Sequence, residues 1–383
     1  MNNNFTTIEA TYRIVTPMFC SGSDQQHAEL RLASFKGALR FWWRSLMWGQ
    51  VSDIKDLQKK EAATFGSSNQ KVGQSKVRMR LLNNQTHSPS NKAEWSKNKG
   101  IQYLGYGVMN HKGELNRPMI PGGIFTVELR LAASLDDEQR QQVKNALILL
   151  GTVGGLGSKS RKGFGSLTLT ELKINREKKE LATCPAERIK EMTKSLGEGQ
   201  PQWTAWSQQS RMLLVTNKGK SSIELLDQIG KEQVYYRSWG NRGRVIDRAR
   251  EANFKEDHDL SKRQHVAIKH PKRIAFGLPH NYGKGDSNAV VPDYHDLERR
   301  ASPLFLHIHL VSESSQPIGV AVFMPSRFLP ENEKIRAFGN NVPLDSSQEF
   351  WNPVNSYLDR LIDKNEATKK VQKDLQAEEI TVG

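Results

Sequence analysis

The order of hydrophobic patterns along the first 174 residues constrains the fold more than any other feature of this sequence. Alternating apolar and polar residues predict half-buried strands at 6–17, 75–82, 123–132 and 163–174. Residues 35–48 repeat apolar residues with helical spacing after Ser34, a favourable N-cap residue. Residues 54–64 predict a second, polar helix, and residues 136–151 begin acidic and end apolar, as a helix favours. The predicted order is therefore strand, helical segment, strand, strand, helix, strand.

This order is that of the split βαβ, or ferredoxin-like, arrangement, which also underlies the RNA-recognition module. The second half repeats it less clearly, with strands predicted at 211–217, 304–311 and 318–325 and a helix at 222–230. We therefore predict an α+β protein of two ferredoxin-like (RRM-like, βαββαβ) units, the second modified with insertions. The predicted divisions are a first unit at 1–175, a linker with a helix at 176–210, a second unit at 211–363 and a polar C-terminal tail at 364–383.

The charge of the chain points to a polyanionic partner. Lys and Arg number 56 against 41 Asp and Glu, which gives a net charge of +15. No run of about 18 apolar residues is present to span a bilayer, and the first residues lack the apolar segment of a signal peptide. Cys20 and Cys184 alone make neither a disulfide framework nor a metal site. We therefore expect a cytoplasmic protein with a nucleic-acid partner, no membrane contact, no metal and no cofactor.

The helix predicted at 35–48 separates a core side from a basic side. Its apolar stripe consists of Phe35, Leu39, Trp42 and Leu46. The opposite face carries Lys36, Arg40, Trp43 and Arg44, and no acidic residue occurs between Glu29 and Asp53. Like charges at this spacing repel, and an external anion would relieve the repulsion. These four residues and Arg31 are candidate RNA contacts, although a merely solvated basic face explains the pattern equally well.

A glycine-rich stretch at 151–166 is the second candidate site, and residues 139–170 contain no acidic residue. Glycines let a backbone approach a ligand closely, and exposed amides with short hydroxyl side chains and cations can hold phosphate. The loop follows a helix and lacks the glycine–lysine–serine or glycine–lysine–threonine ending of a Walker loop. The candidate RNA contacts are Gly157, Ser158, Lys159, Arg161, Lys162 and Gly163. We expect the loop to be mobile alone and ordered with RNA, the alternative being a flexible hairpin with incidental charge.

Three weaker candidates lie elsewhere. The stretch 235–244 offers Tyr236, Arg237, Arg242 and Arg244 for stacking and phosphate contact. His307 and His309 alternate on a predicted strand and share a face, but no third metal ligand has a suitable spacing. Asp24 lies between the first strand and the first helix and could help to position Mg²⁺ beside a scissile phosphate.

Several stretches together resemble the RAMP superfamily of CRISPR proteins, and within it the family of subunit one of the type III-B (Cmr) effector complex. They are IVTP (14–17), ELR (29–31), Ser34, KGALRFWWR (36–44), FGS (65–67), YLGYG (103–107), GSKSRKGFGSL (157–167), FGLP (276–279) and RRASPLFLHI (299–308). The resemblance implies two ferredoxin-like units at one end of a ribonucleoprotein filament, near the 3′ end of the guide RNA. It further implies guide RNA, target RNA and other RAMP subunits as partners, without slicing activity.

We therefore expect an RNA-binding structural subunit of a type III-B CRISPR complex that serves antiviral defence and is not an enzyme. Sequence selection would be left to pairing between guide and target. Two alternatives stay open. In related RAMP subunits an acidic residue of the corresponding loop supports metal-dependent RNA cleavage, so Asp24 could make this chain an endoribonuclease. The chain could also be a protein-binding cap whose basic faces meet acidic partner subunits without touching RNA.

Overall fold

The computed structural model of the protein is a mixed α+β structure built on antiparallel sheets. It describes residues 5–67, 73–194, 196–240, 251–262, 269–282, 289–293, 298–330, 333–344, 347–364, 369 and 372–382. No helix in these described ranges is both long and apolar enough to cross a bilayer.

The first half forms a five-stranded sheet with helices packed against it. Its elements are β1 (Phe5–Ile14), α1 (Leu32–Ser45), α2 (Ile54–Phe65), β2 (Val77–Thr86), α3 (Lys99–Leu104), β3 (Gly123–Ala132), α4 (Asp137–Leu150), β4 (Leu167–Ile174), β5 (Glu177–Lys179) and α5 (Pro185–Met192). The strand order is β2-β3-β1-β4-β5, and every pairing is antiparallel. Helix α4 begins with a capping box in which Asp136 and Gln139 bond each other's backbone N–H groups. The predicted strands and helices of this half are therefore present in the predicted order.

The second half contains two four-stranded antiparallel sheets. Its elements are β6 (Arg211–Thr216), α6 (Ser222–Tyr236), α7 (Lys255–Lys262), β7 (His280–Asn281), β8 (Ala289–Asp293), β9 (Leu304–His309), β10 (Ile318–Phe323), β11 (Lys334–Ala337), β12 (Asn340–Val342), α8 (Asn352–Ile362) and β13 (Gln376–Ile380). One sheet has the order β13-β6-β10-β9 and the other the order β12-β11-β8-β7. The sheet β12-β11-β8-β7 has the shorter strands, and we call it the small sheet. Its strands lie in two insertions, one between α6 and β9 and the other between β10 and α8.

The C-terminal segment differs from the predicted polar tail, because it contains β13, an edge strand paired with β6. Arg211 of β6 donates two hydrogen bonds to the Glu379 carboxylate of β13, at 2.6 and 2.8 Å. Arg211 also donates to Asp359 of α8. The polar C-terminal segment is therefore ordered by strand pairing with β6 and by the ion pairs of Arg211.

The polar insertion after β2 leads into α3, which packs tightly on α6. Gly100 and Gly230 allow the two backbones to meet: a Cβ added to Gly100 would lie 1.9 Å from the carbonyl oxygen of Asp227. The Asp227 carboxylate accepts hydrogen bonds from the backbone N–H groups of Gly100 and Ile101, at 2.9 and 3.1 Å. An acid at this helix N-terminus is electrostatically favourable. The insertion thus forms part of the second half's core.

Helix α1 begins at Leu32, three residues before the predicted start. Arg31 takes the N-cap position with extended backbone and makes no capping hydrogen bond through its side chain, while Ser34 lies inside the helix. The predicted apolar stripe is buried, since Phe35, Leu39 and Trp42 are at most 3% exposed. The Trp42 ring lies 5.5 Å from that of Phe305 in β9, so α1 packs against both halves of the molecule.

Candidate nucleic-acid interface

The basic face of α1 is partly compensated within the protein. Arg40 Nε lies 2.7 Å and Arg44 Nη1 lies 2.6 Å from the same Glu61 oxygen, Oε1, on α2. Glu61 is almost fully buried, whereas each arginine side chain remains about one-third exposed. The acid that the local sequence lacks is therefore supplied by the next helix. An internal acid, rather than the external anion considered from the sequence, therefore pairs with Arg40 and Arg44.

Trp43 is not a surface residue, so its predicted place beside the cations is wrong. Its side chain is 1% exposed and packs edge-to-face on Phe65 of α2, with ring centroids 5.8 Å apart. Lys36 is half-buried, and burial followed by repulsion from Arg40 lowers the pKa of its ammonium group. Arg31 is exposed and lies 3.3 Å from Glu29. Trp43 is therefore a core residue, and Arg40 and Arg44 each pair with Glu61 while remaining partly exposed.

The backbone of the glycine-rich loop, residues 151–166, is held by protein groups. Ser158 N donates to Phe19 O at 2.8 Å, and Gly165 N donates to Pro17 O at 2.9 Å. Gly157 has φ +83°, and an added Cβ would lie 2.4 Å from Phe19 O, so this position requires glycine. These hydrogen bonds connect the loop to residues 17–19, and the expectation that the loop is mobile alone and ordered with RNA stays a prediction.

The loop also contacts the second half of the molecule. Leu306 N of β9 donates to Arg161 O at 3.1 Å, and Arg161 Nη1 donates to Ser302 O at 2.6 Å. The Arg161 guanidinium lies over the rings of Phe41 and Phe305, 5.0 and 4.5 Å from their centroids. Burial lowers the pKa of Arg161 to about 10, which leaves it charged at neutral pH. Arg161 therefore joins the two halves as well as contributing charge.

Lys162 is the loop residue whose charge is most strongly perturbed. Burial, followed by repulsion from Arg237, Lys159 and Arg161, lowers its pKa to about 7. Lys159 has φ +64°, and burial followed by repulsion from Arg299 and Arg117 lowers the pKa of its ammonium group. Both lysines are thus held beside other positive charges, and a bound anion would favour their protonated forms.

Seven cations lie together around the loop, and we call them the cation cluster: Arg117, Lys159, Arg161, Lys162, Arg237, Arg299 and Arg300. They come from four separate segments of the chain. Among the residues that the structure describes, no carboxylate forms an ion pair with any of the seven. Hydroxyl partners are present instead, as where Arg117 donates to Ser158 and Arg300 donates to Ser326. The cluster is an uncompensated positive site suited to phosphate.

The sequence analysis missed three members of this cluster. Arg117 stands alone between two predicted elements, and nothing in its local sequence marks it. Arg299 and Arg300 open a stretch noted for its family resemblance, but no role was predicted for them. Only the fold brings these three residues to the loop. The family resemblance is the one sequence signal for Arg299 and Arg300, and Arg117 has none.

The candidates at 235–244 divide into different roles. Tyr236 is buried, at 7% exposed, and its hydroxyl donates to Pro353 O at 2.8 Å, so the prediction that it stacks on RNA is wrong. The Arg237 guanidinium lies 4.9 Å from the Phe276 ring centroid and belongs to the cation cluster. Arg242 and Arg244 lie outside the described residues.

The residues considered for catalysis do not form a reactive site. Asp24 is exposed and contacts His27, whose Nδ1 lies 2.7 Å from Asp24 Oδ2. His307 is 1% exposed, and its Nδ1–H donates to Gly154 O at 2.8 Å. His309 is equally buried, and burial lowers the pKa of both rings, that of His307 to about 3. The described part of the chain contains no group of three or more His, Cys, Asp or Glu residues able to hold a metal ion.

Comparisons with known proteins agree with these features. The model of the RAMP superfamily matches residues 11–168. Subunit Cmr1-2 of the CRISPR Cmr system of Pyrococcus furiosus is 26% identical over 179 residues, which are 42% of this chain and 92% of that protein. Subunit Cmr1-1 of the same organism is 26% identical over 147 residues, covering 38% of this chain and 42% of that protein.

Two solved structures share the fold over most of the chain. The crystal structure of Cmr1 from Pyrococcus furiosus in its apo form covers 91% of this chain and 96% of its own, at 21% identity and a TM-score of 0.53. A chain in the cryo-EM structure of the type III-B Cmr-beta complex bound to cognate target RNA covers 92% of this chain and 99% of its own, at 11% identity and a TM-score of 0.51. The chain is therefore similar to the RAMP superfamily over residues 11–168 and similar in sequence and fold to Cmr1 subunits.

Proposed function

We propose that this chain is the Cmr1-type subunit of a type III-B CRISPR ribonucleoprotein and holds RNA by contacts between its cation cluster and the phosphate backbone. Its partners are guide RNA, target RNA and other RAMP subunits, and its place is near the 3′ end of the guide. The sequence relatives, which are Cmr1 subunits, support this assignment. The similarity in fold to a chain of a Cmr complex bound to target RNA is consistent with it.

The observation that carries the RNA-binding role is the uncompensated charge around the glycine-rich loop. Burial and then positive neighbours lower the pKa values of Lys159, Arg161 and Lys162. No carboxylate among the described residues pairs with these three cations, whereas Glu61 pairs with Arg40 and Arg44 on α1. Repulsion between like charges held close together destabilises the folded protein, and a bound anion would remove this repulsion. RNA offers closely spaced phosphates, whose contacts fix position without reading sequence.

We infer that both halves are ferredoxin-like units with their boundaries near those predicted, at about 175 and 211. Strands in the order β2-β3-β1-β4 and in the order β9-β10-β6-β13 occupy equivalent positions in the chain. In the second unit α6 follows the first strand and α8 precedes the last. The small sheet and α7 are then the insertions that modify the second unit.

The test is the salt dependence of RNA binding by the full-length chain. Arg117→Ala combined with Lys159→Ala should weaken binding and reduce the salt slope by about 1.4, or about 0.7 for each lost phosphate contact to a single strand. Lys55→Ala with Lys59→Ala removes the same charge from the exposed side of α2 and should leave the slope unchanged. Scrambling the RNA sequence should affect all variants equally. An unchanged slope in the cluster variant would support the protein-binding cap instead.

A second measurement addresses cleavage by the assembled complex. Guide RNA, target RNA and Mg²⁺ should give the same products and rates with wild-type chain and with Asp24→Ala, because Asp24 belongs to no group of three or more metal-ligating residues in the described structure. Cleavage lost specifically in the Asp24→Ala complex would assign this chain the endoribonuclease role.

A further inference from the structure

Tyr106 is a large aromatic side chain that the fold leaves in solvent. It belongs to the YLGYG motif at 103–107 and is 77% exposed. The other exposed large apolar residues in the described structure are Ile54, Leu82 and Ile362, at 40–44%. Exposing an aromatic ring forgoes the stabilisation that its burial would supply. The electrostatic role of the cation cluster does not account for this residue.

The turn that carries Tyr106 is firmly anchored. Gly105 N donates to Ile101 O at 2.8 Å, and Met109 N donates back to Gly105 O at 3.2 Å. Leu104, Val108 and Met109, on either side of the tyrosine, are each only 2% exposed. The ring is therefore presented outward from a fixed backbone, so little conformational freedom remains to be lost when it binds.

The same turn borders the cation cluster. A Cβ built at Gly107 would lie 3.8 Å from Lys159 Nζ. Tyr103, at the other end of the motif, lies beneath Arg237, whose guanidinium is 5.8 Å from its ring centroid. The exposed ring thus stands next to cations that lack acidic partners.

We propose that Tyr106 is a stacking platform for an unpaired nucleobase of the RNA strand whose phosphates contact the cation cluster. This inference rests on the proposed function and adds the class of group recognised. Sites for single-stranded nucleic acid combine a cationic track with aromatic rings on which bases stack without sequence preference. The surroundings favour a base over a protein partner. Lys159 lies beside Gly107 and Arg237 lies over Tyr103, and this positive charge suits the phosphates attached to a base.

The experiment uses the full-length chain and a single-stranded RNA carrying 2-aminopurine, whose fluorescence falls when the base stacks on an aromatic ring. The probe base is moved one position at a time along the RNA. Tyr106→Ala should lose the quenching and bind about tenfold more weakly, within the ~5- to 150-fold that corresponds to about 1–3 kcal/mol per stacked base. Tyr106→Phe should retain both properties. Leu82→Ala, which removes another exposed apolar side chain, should behave as wild type.

The salt slope separates this inference from the proposed function. Tyr106→Ala removes no cation, so it should weaken binding at every salt concentration without changing the slope. Wild-type affinity and quenching in Tyr106→Ala, with a normal slope, would overturn the stacking role while leaving the phosphate contacts standing. Failure of the wild-type chain to bind RNA would instead overturn the proposed function. Loss of complex assembly by Tyr106→Ala with unchanged RNA affinity would assign the ring to a protein contact and would also overturn the inference.

Discussion

Helix α1 and the glycine-rich loop each carry three cations on a stretch without acidic neighbours in sequence, yet the fold treats them differently. On α1, the buried Glu61 binds Arg40 and Arg44. Around the loop, the fold adds Arg117, Arg237, Arg299 and Arg300 to the local cations and supplies no described carboxylate. The difference suggests a rule for this molecule: a basic stretch is suited to anion binding when the fold places no carboxylate beside its cations. We therefore expect α1 to be mainly structural and the loop to be the binding element.

The largest effect tests the structural role of α1. Trp42 is 3% exposed and packs on Phe305 across the two halves. Trp42→Ala should lower the free energy of unfolding by about 3–5 kcal/mol, as truncation of buried aromatic residues does, measured by urea denaturation. Trp48→Ala, at a half-buried ring near the end of the helix, should cost clearly less. Equal losses would mean that α1 does not join the halves through Trp42.

The next effect tests whether protein groups anchor the loop. Burial lowers the pKa of His307, which holds Gly154 O, to about 3, well below its ordinary value near 6.5. As pH falls below about 6.5, His307 of the unfolded chain becomes protonated while His307 of the folded chain stays neutral. The free energy of unfolding therefore decreases as the pH is lowered. The His307 contribution should reach at most about 3 kcal/mol between pH 6.5 and 4.

The measurement is the free energy of unfolding against pH for wild type and for His307→Gln, whose amide N–H can still donate to Gly154. The free energy of unfolding of the variant should fall less steeply than that of wild type between pH 6.5 and 4. Carboxylates contribute equally to both proteins, so the difference between the two pH slopes reports on His307 alone. Parallel slopes would show that His307 is not held neutral beneath the loop.

A smaller effect tests the charge compensation on α1 directly. Glu61→Gln removes the charge that Arg40 and Arg44 share and should cost about 1–3 kcal/mol of stability, since charged hydrogen bonds at a partly buried site are lost. It should also free two cations and increase the salt slope of RNA binding if RNA reaches α1. Glu191→Gln on the exposed side of α5 has the same charge change and should alter neither quantity. An unchanged slope in Glu61→Gln would place α1 outside the RNA path.

The smallest effect concerns the uncompensated charge of the loop itself. Lys162 has its pKa lowered to about 7 by burial and by Arg237, Lys159 and Arg161. Above pH 7 the free protein therefore carries a mostly neutral Lys162, and a bound phosphate must restore its proton. RNA affinity should fall about tenfold from pH 7 to pH 9, roughly 1.4 kcal/mol. Lys162→Arg stays charged over this range and should flatten the profile; an equally steep profile would remove Lys162 from the site.

Much of the fold could be predicted because its signals are local. Alternation of apolar and polar residues predicts β1 and β3, because successive side chains of a strand point to opposite faces. The acidic residues that predict the start of α4 coincide with its capping box. The start of α1 was missed because Ser34 is favourable at an N-cap but Arg31 occupies that position. Strand β13 was missed because the bidentate contact between Arg211 and Glu379 joins residues 168 positions apart.

The candidate site shows the same division. The sequence by itself determined the net charge, the apolar stripe of α1, and the glycines and cations of the loop, because composition and short-range spacing are properties of the chain alone. Only the tertiary structure decided that Glu61 pairs with Arg40 and Arg44 and that Arg117 and Arg299 join Lys159. The physical reason is that Coulomb energy depends on distance in space and on burial, and folding sets both for residues far apart in sequence.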